Sequence, residues 1–244
     1  MIRNNKLKDN IIKNSVLLVR HGQSIWNHDS KFTGWTNIPL TDTGREEAKT
    51  IAETLKHYNT IPNVIFSSVL NRCIETSNII KNNLYNKDIE TYTTWRLNEK
   101  HYGNLEGVPR EYIRNEYGDK FTTMMRNNFY MKPPVINNPN IEIMKSKKYS
   151  AFKNCYFDKI KNGESKENVL QRLLPYYEND ILYTLSENKI PLIVTHKHCA
   201  RVLMKHLLNI NDDDFEDYKL PEKNIIQIFL DDDLKYVKHE NISY

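Results

Sequence analysis

The sequence is short of cysteine. Cys73, Cys155 and Cys199 are the only three in 244 residues. Their odd number and wide separation exclude a disulfide framework and leave no Cys-x-x-Cys metal site. No apolar run approaches the roughly 18 residues that a bilayer span requires, and the longest candidates, such as Val16 to Val19, are strand-sized. The leader, residues 1–14, carries scattered positive charge without a continuous apolar stretch, so no secretory signal is read there and a reducing cytoplasm is expected. Nor is there a strong excess of one charge. Lys plus Arg number 35 against 31 Asp plus Glu, a formal +4 that is too little to mark a nucleic-acid binder but compatible with small anionic ligands. Repeats of the solenoid kind are absent. Hydrophobic residues still make up 39% and aromatics 11%, enough for a packed core, and the length suits one domain over residues 1–244.

The chemistry-bearing residues sit where apolar runs end. Val16 to Val19 runs into Arg20-His21-Gly22, the pattern of a buried strand opening into a loop. Val64-Ile65-Phe66 leads to Ser67-Ser68, read as the N-cap of a helix that carries Leu70, Arg72 and Ile74. Leu192-Ile193-Val194 meets Thr195-His196, after which Ala200, Leu203, Met204, Leu207 and Leu208 mark an amphipathic helix. Thr43 and Glu46 have capping-box spacing, and Ala48, Ile51, Ala52 and Leu55 follow at helical spacing. Strands alternating with helices predict a three-layer α/β/α fold with a mainly parallel central sheet, whose ligands gather at the carboxyl ends of the strands. Ile225 to Leu230 and Tyr236-Val237 are expected to add late strands at an edge.

Residues from about 108 to 162 break this rhythm, with Pro133-Pro134, Asn137-Asn138-Pro139 and the basic stretch Lys145 to Lys148. They read as an inserted cap, with a helix near Tyr112 to Met125 and then a long loop. Lys145 to Lys148 is most simply a solvated face, and Cys199, Trp95 and Tyr176-Tyr177 read as core or interface residues.

Two histidines and two arginines at strand ends, without a metal-ligand motif, point to a phosphate pocket with an imidazole nucleophile. Guanidinium groups bind phosphoryl oxygens bidentately, and a carboxylic acid must protonate the leaving oxygen. Glu99, within Leu97-Asn98-Glu99-Lys100-His101-Tyr102-Gly103, is the candidate acid. The pair His196-x-His198 is not read as a metal site.

The block Leu18 to Asn27, followed by Phe32-Thr33-Gly34-Trp35 and Leu40 to Gly44, resembles the cofactor-dependent phosphoglycerate mutases of the histidine phosphatase superfamily. Ser67 to Arg72 and Leu97 to Gly107 are similar to two further blocks of that family. The resemblance implies that His21 is phosphorylated in each cycle, with Arg20, Arg72 and His196 around the phosphoryl group and Glu99 exchanging the proton. Asn27, Thr33, Gly34, Tyr102, Arg110, Arg126 and Lys197 would contact phosphate or substrate. It further implies interconversion of 3- and 2-phosphoglycerate, 2,3-bisphosphoglycerate as primer, no metal, and small phosphorylated carboxylic acids as partners rather than nucleic acid or membrane. A homo-oligomer is left open.

Six residues at four places depart from the family pattern. Arg110 stands for a lysine, Asn127 follows Arg126 where a second arginine is usual, Lys197-His198 replaces Gly-Asn, and Pro221-Glu222-Lys223 replaces Pro-Thr-Gly. A lysine at 197 is expected to strain a backbone that favours glycine and to slow the site. Two other readings therefore stay beside the mutase: a phosphomonoester phosphatase and a degenerate phospholigand-binding protein.

Overall fold

Six strands carry the architecture: β1 (Asn14–Arg20), β2 (Val64–Ser68), β3 (Glu90–Thr94), β4 (Pro191–Thr195), β5 (Asn224–Leu230) and β6 (Tyr236–Ser243). In the computed structural model, which describes residues 14–86, 88–135 and 162–244, they form one sheet in the order β3-β2-β4-β1-β5-β6. β1, β2, β3 and β4 run parallel, while β5 and β6 are antiparallel additions. Leader residues 1–13 and the Lys145 to Lys148 stretch lie outside the described residues.

The continuous apolar runs follow from burial on both faces. Along β1, Val16 and Leu18 face one core with α5 (Lys166–Tyr176) and α6 (Lys197–Leu207). Leu17 and Val19 face the other, packed with α2 (Asp42–His57) and α3 (Asn71–Asn83). The expected three-layer α/β/α arrangement is thus present. A third cluster, including Phe32, Tyr102, Ile113 and Met125, seats α4 (Arg110–Asn127) near the carboxyl ends of the strands.

Several boundaries differ from the sequence reading. Helix α2 opens after Thr41, not Thr43, because the Thr41 hydroxyl accepts the Gly44 N–H at 3.0 Å. Ser67 and Ser68 do not cap α3 as N-cap residues; they end β2, and Ser68 Oγ accepts from Leu70 N at 3.2 Å just before the helix. β5 is interior, flanked by β1 and β6, so of these two late strands β6 alone lies at an edge. The opposite edge, β3, has no counterpart in the sequence reading, since four of its five residues are exposed and no apolar run marks it. The cap helix is longer than Tyr112 to Met125 and is interrupted at Gly118, with φ 84° and ψ 160°.

Candidate active site

His21 lies just past β1, and its backbone N–H donates to Thr195 O at 2.9 Å, joining the ends of β1 and β4. Gly22 follows because the chain passes Gly44 there: a β-carbon on Gly22 would lie 2.1 Å from Gly44 O. The Arg-His-Gly and Thr-Asp-Thr-Gly segments therefore meet backbone to backbone. The His21 ring is 5% exposed, with Nδ1 2.6 Å from Gly22 O. A carbonyl only accepts, so Nδ1 carries the proton and Nε2 keeps its lone pair. Arg72 Nε, which can only donate, lies 3.3 Å from that Nε2. Burial, reinforced by Arg72 and Arg20, holds His21 well below the usual histidine pKa, so its ring is neutral at neutral pH.

Arg72 is fixed on three sides. Besides His21, it donates to Thr36 O at 2.9 Å and Gly34 O at 2.7 Å. That loop is held in turn by Glu106, whose carboxylate accepts from Trp35 N, Thr36 N, Thr36 Oγ1 and Tyr102 N. Arg20 donates to Asn27 Oδ1 at 3.1 Å, and Asn27 is set by a capping box with Ser24 on the short helix α1 (Ile25–His28). Arg20 Nε, Arg110 Nε and Arg126 Nε are buried with no hydrogen-bond partner among the described residues. Unpaired buried donors of this kind are rare, and their common chemistry suits an anion.

Glu99 is 9% exposed, and its Oε1 accepts from Lys100 N at 2.8 Å and His198 N at 3.3 Å. Burial raises its carboxyl pKa above the usual glutamate value, with these backbone donors and Arg72 partly opposing. Its backbone is held as firmly, since Glu99 O accepts from Trp35 Nε1 at 2.7 Å and Arg172 Nη2 at 2.9 Å. Arg172 is also paired with Glu164 at 2.7 Å in a buried ion pair. Neither Arg172 nor Glu106 stood out in the sequence, because each acts on backbone groups far away along the chain.

Arg110 and Arg126 begin and nearly end α4, yet both line the same small cavity. On a straight helix they would stand about 24 Å apart. The non-helical Gly118 breaks the element and lets both ends reach the site. Buried Lys166 and Lys100 hold the far end, donating to the carbonyls of Arg126 and Asn128 and of Met125 and Met131 respectively. No described residue lies within 4 Å of a β-carbon built on Gly118, so among the described residues its backbone angles alone disfavour Gly118→Ala. We expect it to cost about 1–3 kcal/mol in urea unfolding; unchanged stability would show that the break needs no glycine.

Of the residues singled out in the sequence, all but His196 line an inner cavity of about 40 Å³. His196 is fully buried behind it, its ring centroid 4.8 Å from that of His21 and its Nε2 2.9 Å from Ser68 Oγ. His198, read only as a departure from the family pattern, lines the cavity instead and places Nε2 2.9 Å from the Tyr102 hydroxyl. Burial pushes that phenol up to about 12, so it stays protonated. Asn127, in place of a second arginine, is occupied by Arg201 Nη1 at 3.2 Å. Lys197 corrects an expectation: it opens α6 without a positive φ, so it imposes no strain of the kind that glycine relieves. Its ammonium turns to Glu222, 3.3 Å away. A larger cavity of about 290 Å³ adjoins the inner one and shares Arg20, His21, Asn27, Arg110, Arg126 and Lys197 with it.

A neutral imidazole under two guanidinium groups, beside a carboxyl biased toward its acid form, is equipped for phosphoryl transfer. The family model for the histidine phosphatase superfamily (branch 1) matches residues 16–142 and 137–243. The chain belongs to this superfamily. Among curated members, a 2,3-bisphosphoglycerate-dependent phosphoglycerate mutase of Bifidobacterium longum is 35% identical over 225 residues, covering 91% of this chain and 89% of the relative. One from Buchnera aphidicola is 39% identical over 210 residues, with 84% and 88% covered. Among solved structures, the mycobacterial glucosyl-3-phosphoglycerate phosphatase superposes with a TM-score of 0.71 at 18% identity, covering 94% of this chain and 99% of that one. The alpha-ribazole phosphatase from Shigella flexneri gives 0.69 at 18%, with 93% and 96% covered. At such identities these two establish the shared superfamily fold. Among the described residues, no group of three or more His, Cys, Asp or Glu side chains is placed to hold a metal, and no helix is long and apolar enough to cross a membrane.

Proposed function

We propose that this chain interconverts 3-phosphoglycerate and 2-phosphoglycerate through a phosphohistidine at His21. The observation that carries the reading is the His21 hydrogen-bond pattern, in which Nδ1–H donates to Gly22 O and leaves Nε2 as nucleophile beside Arg72. The names of the curated relatives support the choice of substrate. His21 Nε2 attacks phosphorus, forming a P–N bond as the P–O bond breaks, and Glu99 gives its proton to the departing oxygen. Arg20 and Arg72 hold the equatorial oxygens as charge shifts among them. In the return half, a substrate hydroxyl attacks the phosphohistidine and Glu99 takes back the proton.

The implied primer, 2,3-bisphosphoglycerate, fits the residues present, because the buried Nε atoms of Arg20, Arg110 and Arg126 have no hydrogen-bond partner among the described residues. Those residues, with Asn27, Arg72 and Lys197, would hold it. When bound, it supplies the phosphoryl group that first charges His21. A second reading, hydrolysis of a phosphomonoester, is favoured by the larger cavity beside His21, through which water could take the place of the accepting hydroxyl.

One assay separates these readings: purified protein on 3-phosphoglycerate, with and without primer, following 2-phosphoglycerate and inorganic phosphate together. Primer-dependent 2-phosphoglycerate is the expected result. Phosphate as the dominant product would establish the phosphatase. Binding with neither product would establish a degenerate binder and overturn the enzymatic reading.

A further inference from the structure

Two ion pairs tie the loop before β5 to the elements around the larger cavity. Lys197 on α6 lies 3.3 Å from Glu222 Oε1, and Glu47 on α2 lies 3.4 Å from Lys223 Nζ. All four line the larger cavity, but of them only Lys197 also lines the inner one beside His21. Lys197 thus belongs with Arg20, Arg110 and Arg126, the cations shared by both cavities. Among the described residues it is the one of these with a carboxylate partner.

That partner is loosely held. The Glu222 side chain is 73% exposed and that of Lys197 36%, so solvent screens the pair and little is lost when it opens. Lys197 nevertheless holds the Glu222 carboxyl below the usual glutamate range, and the carboxyl is ionised at neutral pH as an exposed glutamate is. A ligand whose phosphoryl group sits against His21, and which carries a second acidic group, presents that group to the shared cations. On reaching Lys197 it competes with Glu222 for the ammonium. A phosphomonoester without a second acid makes no such demand and leaves the pair closed.

We propose that Glu222 is a specificity-determining residue, an internal carboxylate competing for Lys197 and lowering the preference of the site for phosphorylated carboxylic acids over phosphomonoesters without a second acid. The inference rests on the phosphoryl-binding reading of the His21 site. It also joins two departures from the family pattern, at 197 and 222, into one paired feature.

The test compares dissociation constants of 3-phosphoglycerate and glycerol 3-phosphate by titration calorimetry at low ionic strength. The proteins are the parent chain, Glu222→Gln, Lys197→Met and the double variant. Glu222→Gln should tighten 3-phosphoglycerate about two- to fivefold, the range of an exposed ion pair, and leave glycerol 3-phosphate unchanged. In the Lys197→Met background the same substitution should move neither ligand. Equal tightening of both ligands, or tightening that persists without Lys197, would show a general field effect and overturn the proposal. No change at all would overturn it likewise. A parent chain that binds neither phosphoester would overturn the phosphoryl-binding reading together with this inference, so the two failures are distinguishable.

Discussion

His21→Ala is expected to abolish phosphoryl transfer, lowering turnover by about 10⁴-fold or more, as loss of a covalent nucleophile does when no neighbour can replace it. Replacement from nearby is blocked by chemistry. Cys73 is buried, with its thiol pushed above the range in which a thiolate forms. His196, though its ring lies 4.8 Å away, faces Ser68 and lines neither cavity. The parent enzyme incubated with labelled 2,3-bisphosphoglycerate should carry an acid-labile label, because a P–N bond hydrolyses in acid, and His21→Ala should carry none. Folding should survive, since the ring's hydrogen bonds are to Gly22 O and one nitrogen of Arg72 and its ring contact is with His196. Label retained in the variant would place the nucleophile elsewhere and sink the assignment.

Much of the site was legible in the sequence because its parts sit where local pattern is strongest. Arg20, His21 and Arg72 follow buried strands, so the apolar runs that locate the strands locate the residues as well. The parallel sheet then brings their carboxyl ends to one edge, which β1, β2 and β4 do here. What escaped was non-local or exposed. β3 has no apolar periodicity because it is an edge with its side chains in solvent. Arg172 and Glu106 act by bonding to main-chain atoms more than sixty residues away, an arrangement with no signature in spacing. The reading of Lys197 missed for a related reason. A glycine in the family pattern suggests a strained backbone, whereas the first residue of α6 is helical and tolerates a side chain. Its consequence lies across the cavity at Glu222, a partner set by tertiary structure alone.

Glu99→Gln is expected to lower turnover by about 10²–10⁴-fold, the range for loss of a general acid–base, while KM for 3-phosphoglycerate changes little. Glutamine is nearly isosteric, and its amide oxygen can keep the bonds from Lys100 N and His198 N that orient the side chain. It cannot donate or accept a proton in the transfer step. The pH profile should identify the residue more sharply than the rate. Burial raises the Glu99 pKa, so its acid form persists to higher pH than an ordinary glutamic acid, and turnover through protonation of the leaving oxygen should fall as pH rises through that value. His21 acts in the opposite direction. Its pKa is depressed, so the neutral nucleophile survives well below pH 6.5, and activity should not decline where an ordinary histidine becomes charged. In Glu99→Gln the fall on the alkaline side should disappear from the residual rate, while the tolerance of mild acid remains because it belongs to His21. Substrates with a more acidic leaving group test the same assignment from the chemical side. Their departing oxygen needs less protonation, so Glu99→Gln should be least impaired with them in single-turnover phosphorylation of His21. Equal impairment whatever the leaving group would mean that Glu99 organises the site without moving the proton.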